Sequence, residues 1–236
     1  MEIDQAELRV VLPGDVIPVN NDPLILGPGL RQDGENVVAT KAGLLRHMEA
    51  GNRWWIESNQ RRVEHYFKYI AAPGESVLGT VTARLGEYYR VEIGTAHTAV
   101  LPALAFEGAT KRNRPNLALR SLVYCRVAMA NRDMEAELEC VNPTTGKADG
   151  FGELQGGYVI KCSLGLCRKL LNPSTPILTF LGEHFPFEMA VGMNGRVWIN
   201  SNSHKDTILI SNAIQNSEYL SIEECKAMVE GLLNKA

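Results

Sequence analysis

No CxxC pair occurs in this chain, and its five cysteines, Cys125, Cys140, Cys162, Cys167 and Cys225, are odd in number and scattered. That pattern argues against a disulfide framework and a cysteine zinc site, and points to reduced, buried thiols. No run of 18 apolar residues is present, so no segment reads as a membrane-spanning helix. The first residues, Met1-Glu2-Ile3-Asp4-Gln5, are acidic where a secretory signal is basic and then apolar, and the expectation is a soluble, intracellular protein. Neither sign of charge dominates, with 24 Lys+Arg against 27 Asp+Glu. A global basic field is therefore absent, and any binding of a polyanion has to be local.

Catalytic signatures are missing as well. No serine sits in a GxSxG elbow, no HExxH or Walker-type loop occurs, and His47, His65, His97, His184 and His204 are dispersed. The expectation is a protein without catalytic residues, metal or cofactor. Its 236 residues, 45% of them hydrophobic, suit one large soluble domain or several small ones.

What the chain does have is a local concentration of positive charge. From Gly108 through Arg132 it carries Lys111, Arg112, Arg114, Arg120, Arg126 and Arg132, with Glu107 and Asp133 as the nearest acids on either side. Lys111, Arg112 and Arg114 share one acid-free loop between apolar segments. Such a surface suits a phosphate backbone, because each cation that meets a phosphate releases condensed counterions whatever the base sequence. A solvated loop and a protein interface are the competing uses of the same residues.

Three segments follow from the spacing of turns and apolar residues: 1–70, 71–147 and 148–236. The first reads as short strands punctuated by Pro13-Gly14-Asp15, Asn21-Asp22-Pro23 and Gly27-Pro28-Gly29, an N-terminal β domain. Its adjacent Trp54 and Trp55 cannot both turn inward on one strand, so one indole is expected to be exposed and available to a partner. In the second segment Val77, Gly79, Val81 and Ala83 alternate with Leu78, Thr80, Thr82 and Arg84, and Tyr89, Val91 and Ile93 with Tyr88, Arg90 and Glu92. Further strands are predicted at 97–101, 122–130 and 135–141. Five strands with the basic loop before the fourth match an OB-type barrel, a frequent oligonucleotide binder. Arg84, Tyr88 and Arg90 are then expected to share its outer face, where stacking and phosphate pairing would alternate. Asp133, Glu135, Glu137 and Glu139 fall at two-residue spacing and read as a solvated face rather than a metal site, whose ligands should converge from several elements.

The third segment reads as a strand at 158–162, helices at 164–171 and 175–181, strands at 187–191 and 196–199, and helices at 205–215 and from Ser221. The last has Glu224 placed to complete a capping box. That order is the order of a KH module. The fold class is thus mainly β with an α+β C-terminal part. A KH domain grips the nucleotide backbone with a GXXG loop between two helices. Gly192-Met193-Asn194-Gly195 satisfies the formula but lies between two predicted strands, while the connection between the helices, 171–175, contains no glycine. The motif reads as a structural hairpin turn across Met193-Asn194 or Asn194-Gly195, not as an RNA clamp.

At GPGLR (Gly27 to Arg31), LLRH (Leu44 to His47), FEGATKRNRPN (Phe106 to Asn116), LGLCRKLL (Leu164 to Leu171) and VGMNGRVWIN (Val191 to Asn200), the chain resembles the exosome cap-subunit family called ribosomal RNA-processing protein 40. The resemblance implies a non-catalytic subunit that sits with two other cap proteins on a six-membered ring of RNase-PH-like subunits. Single-stranded RNA would enter through this cap toward an associated ribonuclease, in nucleus, nucleolus and cytoplasm, with no membrane involved. It further implies that the family's GxNG signature, here Gly192, Asn194 and Gly195, packs on the neighbouring barrel, with Trp198 a core or interface aromatic. An enzyme and a free-standing single-stranded RNA-binding module, for example in translation, are the alternatives. Stoichiometric co-purification with ring proteins separates the scaffold from the independent binder.

Overall fold

The computed structural model describes residues 10–18, 24–48, 51–57, 69–131, 133–172 and 175–233. The turn expected at Asn21-Asp22-Pro23, together with Arg132, His65 and Pro173, lies outside them. The chain divides at residue 60 into two compact units.

Among the described residues of the first unit, seven short strands form two sheets: β1 (Val10–Val11), β2 (Val16–Ile17), β3 (Ile25–Leu26), β4 (Leu30–Asp33), β5 (Asn36–Ala39), β6 (Gly43–Met48) and β7 (Arg53–Glu57). Their orders are β1-β6-β7-β3 and β2-β5-β4. Val11, Ile17, Val37, Ala39 and Ile56 make the small core. Gly27 and Gly29 let the turn between β3 and β4 lie flat on β7. The Gly27 amide donates to the Trp54 carbonyl at 2.7 Å, the Ile56 amide to the Pro28 carbonyl at 2.9 Å, and Gly29 has φ +91°. This packing also corrects the expectation for the tryptophans. Both are half-buried and neither is exposed, because β7 is an inner strand with the glycine turn laid against it. A Cβ on Gly27 would come within 2.7 Å of that of Trp55. Trp54 stacks on His47, ring centres 4.1 Å apart, and donates its indole N–H to Asn52 Oδ1 at 2.8 Å.

The second unit opens with the barrel: β8 (Ser76–Leu85), β9 (Tyr88–Glu92), β10 (Ala99–Pro102), β11 (Leu122–Asn131) and β12 (Met134–Glu139). Their order β12-β10-β9-β8-β11 is closed by pairing of β11 with β12. The chain therefore has a five-stranded OB barrel. Val77, Val81, Tyr89, Val91, Ile93, Leu101, Val123, Val127 and Leu138 fill it, each with at most 2% of its surface exposed. Tyr69 packs into this core and donates its amide to the Gly94 carbonyl at 2.8 Å. A further strand that the sequence pattern does not predict, β13 (Gly152–Leu154), pairs with the start of β11.

The remainder is an α+β domain: β14 (Tyr158–Lys161), α1 (Leu164–Leu171), α2 (Pro176–Gly182), β15 (Phe187–Gly192), β16 (Arg196–Ser201), α3 (His204–Asn216) and α4 (Ile222–Leu233). The antiparallel sheet has the order β14-β16-β15. Ser163 Oγ accepts the Leu166 amide at 3.0 Å and so starts α1. The Ser221 amide donates to Glu224 Oε2 at 2.8 Å while the Glu224 amide returns to Ser221 Oγ at 3.4 Å, a reciprocal capping box. The backbone bond to the Glu224 carboxylate, followed by that from the Ser221 hydroxyl, lowers its pKa. Among the described residues no helix is long and apolar enough to cross a membrane.

Candidate nucleic-acid interface

The basic loop between β10 and β11 is a built turn. The Thr110 amide donates to the Asn113 carbonyl at 2.9 Å and the Asn113 amide to Thr110 Oγ1 at 3.0 Å. Lys111 and Arg112 occupy the tip, both exposed, and neither has an ion-pair or hydrogen-bond partner among the described side chains. Arg114 differs from them. It is half-buried, its guanidinium reaching the Gly86 carbonyl at 3.4 Å and Glu87 Oε1 at 3.7 Å, and its Nε is buried without a partner. It ties the loop back to the β8–β9 turn, and its charge faces a carboxylate. Arg126 is likewise committed, in an ion pair with Glu139 on the neighbouring strand.

The expected outer-face row of Arg84, Tyr88 and Arg90 is broken by a β-bulge. Register slips between Val81 and Ala83, so Ala83 faces Arg90 and Arg84 faces Tyr89. One extra residue reverses the alternation beyond it. Directly opposed residues share a face, and Arg84 therefore falls in line with buried Tyr89 rather than with Tyr88. Both then serve the basic loop from below: Arg84 Nη1 donates to Asn116 Oδ1 and the Tyr89 hydroxyl to the Pro115 carbonyl. Arg90 lies on the outer face but bonds Thr98 Oγ1 at 3.0 Å and Glu135 Oε1 at 2.6 Å, and Glu135 pushes its pKa further up. Tyr88 is exposed. Of the acidic row on β12, Glu139 is thus ion-paired with Arg126 of the adjacent β11, and Glu135 with Arg90 of β9, two strands away across β10.

The second feature is the seam between the barrel and the α+β domain. Sequence alternation puts Leu78 on the wet side of β8, yet it is fully buried with Trp198 and Ala190, because a second layer covers that face. The β15–β16 hairpin has a three-residue loop, Met193-Asn194-Gly195, bounded by the pair Gly192–Arg196. It is not the two-residue turn expected. Gly195 has φ +74° and Asn194 is not among the residues of positive φ, whereas a two-residue Asn-Gly turn requires positive φ at both. Asn194 is instead used through its side chain. Beyond the Thr80–Glu92 pair the β8–β9 ladder ends, and Asn194 fills the gap. Its Nδ2 donates to the carbonyls of Leu78 at 2.7 Å and Ile93 at 2.8 Å, and its Oδ1 accepts the Leu78 amide at 3.3 Å.

Nearby groups close the same seam. The Met193 amide bonds the Ser76 carbonyl at 2.7 Å. Arg196 reaches the Glu92 carbonyl at 3.1 Å and Glu92 Oε2 at 2.6 Å. Gly192 has to be glycine, since a Cβ there would lie 2.4 Å from Asn194 Oδ1 and 2.8 Å from the Leu78 amide nitrogen. Trp198, 4% exposed, donates its indole N–H to the Gly156 carbonyl at 2.9 Å. Gly195→Ala is expected to cost about 1 kcal/mol through its left-handed backbone, seen as a lower melting temperature with RNA affinity unchanged. A variant as stable as the parent that loses RNA would reverse this assignment.

Three family models match successive parts of the chain. The family described as "Exosome complex exonuclease Rrp40 N-terminal domain" matches residues 24–62, "Exosome complex component RRP40, S1 domain" residues 69–152, and "KH domain" residues 157–205. Exosome complex component rrp40 of Schizosaccharomyces pombe is 48% identical over 95% of this chain and 96% of its own. This chain belongs to the Rrp40 family of exosome complex components. The Drosophila melanogaster Rrp40 is 45% identical over 90% of each chain, and that of Homo sapiens 38% identical over 89% of this chain and 76% of its own. A solved structure 16% identical shares the fold, with TM-score 0.57 over 71% of this chain and 96% of the other.

Sequence reasoning misses the Gly156-Gly157 pair that seats Trp198. Two adjacent glycines just ahead of a predicted strand are the available signal. The connection between α1 and α2, where a KH clamp belongs, runs from Asn172 to Thr175 and carries no glycine.

Proposed function

We propose that this chain is a non-catalytic, RNA-binding cap subunit of the RNA exosome. It stabilises the RNase-PH-like ring and guides single-stranded RNA into a channel for 3′-to-5′ degradation and processing. The observation that carries this reading is the family match through all three parts of the chain, from the N-terminal domain to the KH domain. A free-standing RNA-binding module is not favoured, because relatives that match from end to end are named as exosome components. The partners are the ring subunits, the other cap subunits and an associated ribonuclease, in nucleus, nucleolus and cytoplasm.

RNA binding is assigned to the tip of the basic loop. Lys111 and Arg112 are exposed cations without partners among the described residues, so meeting a phosphate breaks none of the bonds seen there. Arg84, Arg90 and Arg114 support the surface from beneath or beside it, and Tyr88 offers a ring for stacking. Gly192, Asn194, Gly195 and Trp198 hold the seam and do not touch RNA.

Replacing Lys111 and Arg112 together by Ala in the assembled complex is expected to weaken binding of a single-stranded RNA at unchanged melting temperature. The slope of log affinity against log salt should fall by about 0.7 for every phosphate that is no longer neutralised. Base preference should hold, because groups that meet phosphates position a strand without reading it. Unchanged affinity and slope would assign the tip to a protein interface.

A further inference from the structure

The unclaimed surface of the KH domain is a groove of about 890 Å³ between the edge of β14 and helix α3. Among the described residues β14 has one neighbour, β16, so its other side is an open sheet edge. The direction of its free backbone groups follows from the hydrogen bonds at its end. In an antiparallel ladder alternate residues point their N–H and C=O toward the partner and away from it. The Cys162 amide bonds the Gly195 carbonyl across the hairpin at 3.0 Å, which assigns Ile160 and Tyr158 to the inner set. Val159 and Lys161 belong to the outer set. Gln215 of α3 agrees with this parity, since its Nε2 reaches the Lys161 carbonyl at 3.5 Å, the long limit of a hydrogen bond. The Val159 amide and carbonyl therefore face the groove, in register with a carbonyl that a side-chain amide caps loosely.

The walls carry the complementary chemistry. Tyr158 and Ile208 are each 59% exposed at the groove, large apolar surface that a packed domain would normally cover. The chargeable side chains of the lining are Lys161 and His204, and it includes no carboxylate. Among the described residues the groove lining includes none of the barrel, and edges of this kind are ready templates for another strand.

We propose that the groove is a docking site for an extended peptide of a partner protein, bound by strand addition to β14. Backbone of the peptide exchanges hydrogen bonds with Val159 and displaces the Gln215 amide from Lys161. An apolar side chain of the peptide lies against Ile208 and Tyr158, and an acidic side chain at a neighbouring position meets Lys161 or His204. Strand addition draws affinity from main-chain bonds and specificity from alternate side chains, so the motif is short and alternates apolar with acidic residues. This surface is separate from the Lys111–Arg112 tip, and its test does not depend on RNA binding there.

The experiment pans a phage-displayed library of ten-residue random peptides against the full chain, then measures hydrogen exchange with the enriched synthetic peptides and with an unstructured oligouridine. Enriched peptides are expected to share an alternating apolar and acidic pattern and to slow exchange of the Val159 amide at least tenfold. Ile208→Glu should weaken them at least tenfold, as should Lys161→Glu, at unchanged melting temperature, since both side chains are exposed. Peptides that bind without slowing Val159, or that tolerate both variants, would overturn the proposal. So would a library without enrichment, or protection of Val159 by the oligouridine in place of the peptides.

Discussion

Asn194→Ala is expected to destabilise the barrel–KH unit by about 3–5 kcal/mol, the sum of several buried polar groups left without partners. The amide of Leu78 and the carbonyl of Ile93 end on this side chain, as does the carbonyl of Leu78, which Arg196 Nη1 also reaches at 3.3 Å. Asn194 is 4% exposed, so these backbone groups are out of contact with bulk solvent. For a unit of this size the melting temperature should fall by roughly 10 °C. Asn194→Asp separates hydrogen bonding from shape. A carboxylate would meet two carbonyl oxygens, so its pKa in the folded state is raised above the unfolded value. The native state then binds the proton more tightly, and the variant should gain stability as the pH falls through that raised pKa. If thermal unfolding shows Asn194→Ala within about 1 °C of the parent, where the seam predicts a shift several times larger, the seam does not depend on this residue.

Gly157→Ala is the second large effect. A Cβ there would lie 2.5 Å from the Trp198 indole nitrogen and 2.6 Å from the Ile199 carbonyl, on a backbone with φ +69°. The left-handed conformation costs about 1–3 kcal/mol for a residue with a side chain, and displacing the indole adds overpacking of similar size. The expected outcome is a lower melting temperature with red-shifted Trp198 fluorescence, since the ring leaves Leu78 and Ala190. Gly156→Ala should show the backbone cost alone, because a Cβ there meets nothing closer than Asn200 Oδ1 at 3.8 Å. Equal losses in the two variants would count against the steric account.

These two positions also show what can be read from the sequence. Alternation finds the inward set Tyr89, Val91 and Ile93, and helix periodicity finds α1 with its observed bounds, because each depends on neighbours along the chain. It misplaces Leu78 because that residue is covered by a domain more than a hundred positions away. Arg84 falls on the wrong face because a bulge leaves no signature in residue type. The basic loop is visible as composition, but its division into two free cations at the tip and a tethered Arg114 depends on Thr110, Asn113 and the β8–β9 turn, which only the fold brings together. In the hairpin the Asn-Gly pair suggests a turn type, whereas the Asn is present for its side chain and the Gly for its backbone.

The plug that Asn194 forms has a consequence for the order of events during synthesis. Leu78 and Asn194 are 116 residues apart, and a ribosome adding about 5–20 residues per second takes roughly 6–23 s to make that interval. The fifth strand of the barrel ends at Glu139, 55 residues before Asn194, so for roughly 3–11 s at the same rate the β8–β9 gap has its carbonyls bare beside the uncovered Leu78. The nascent barrel thus shows an apolar face and unpaired carbonyls until the β15–β16 hairpin, made later in the chain, covers both.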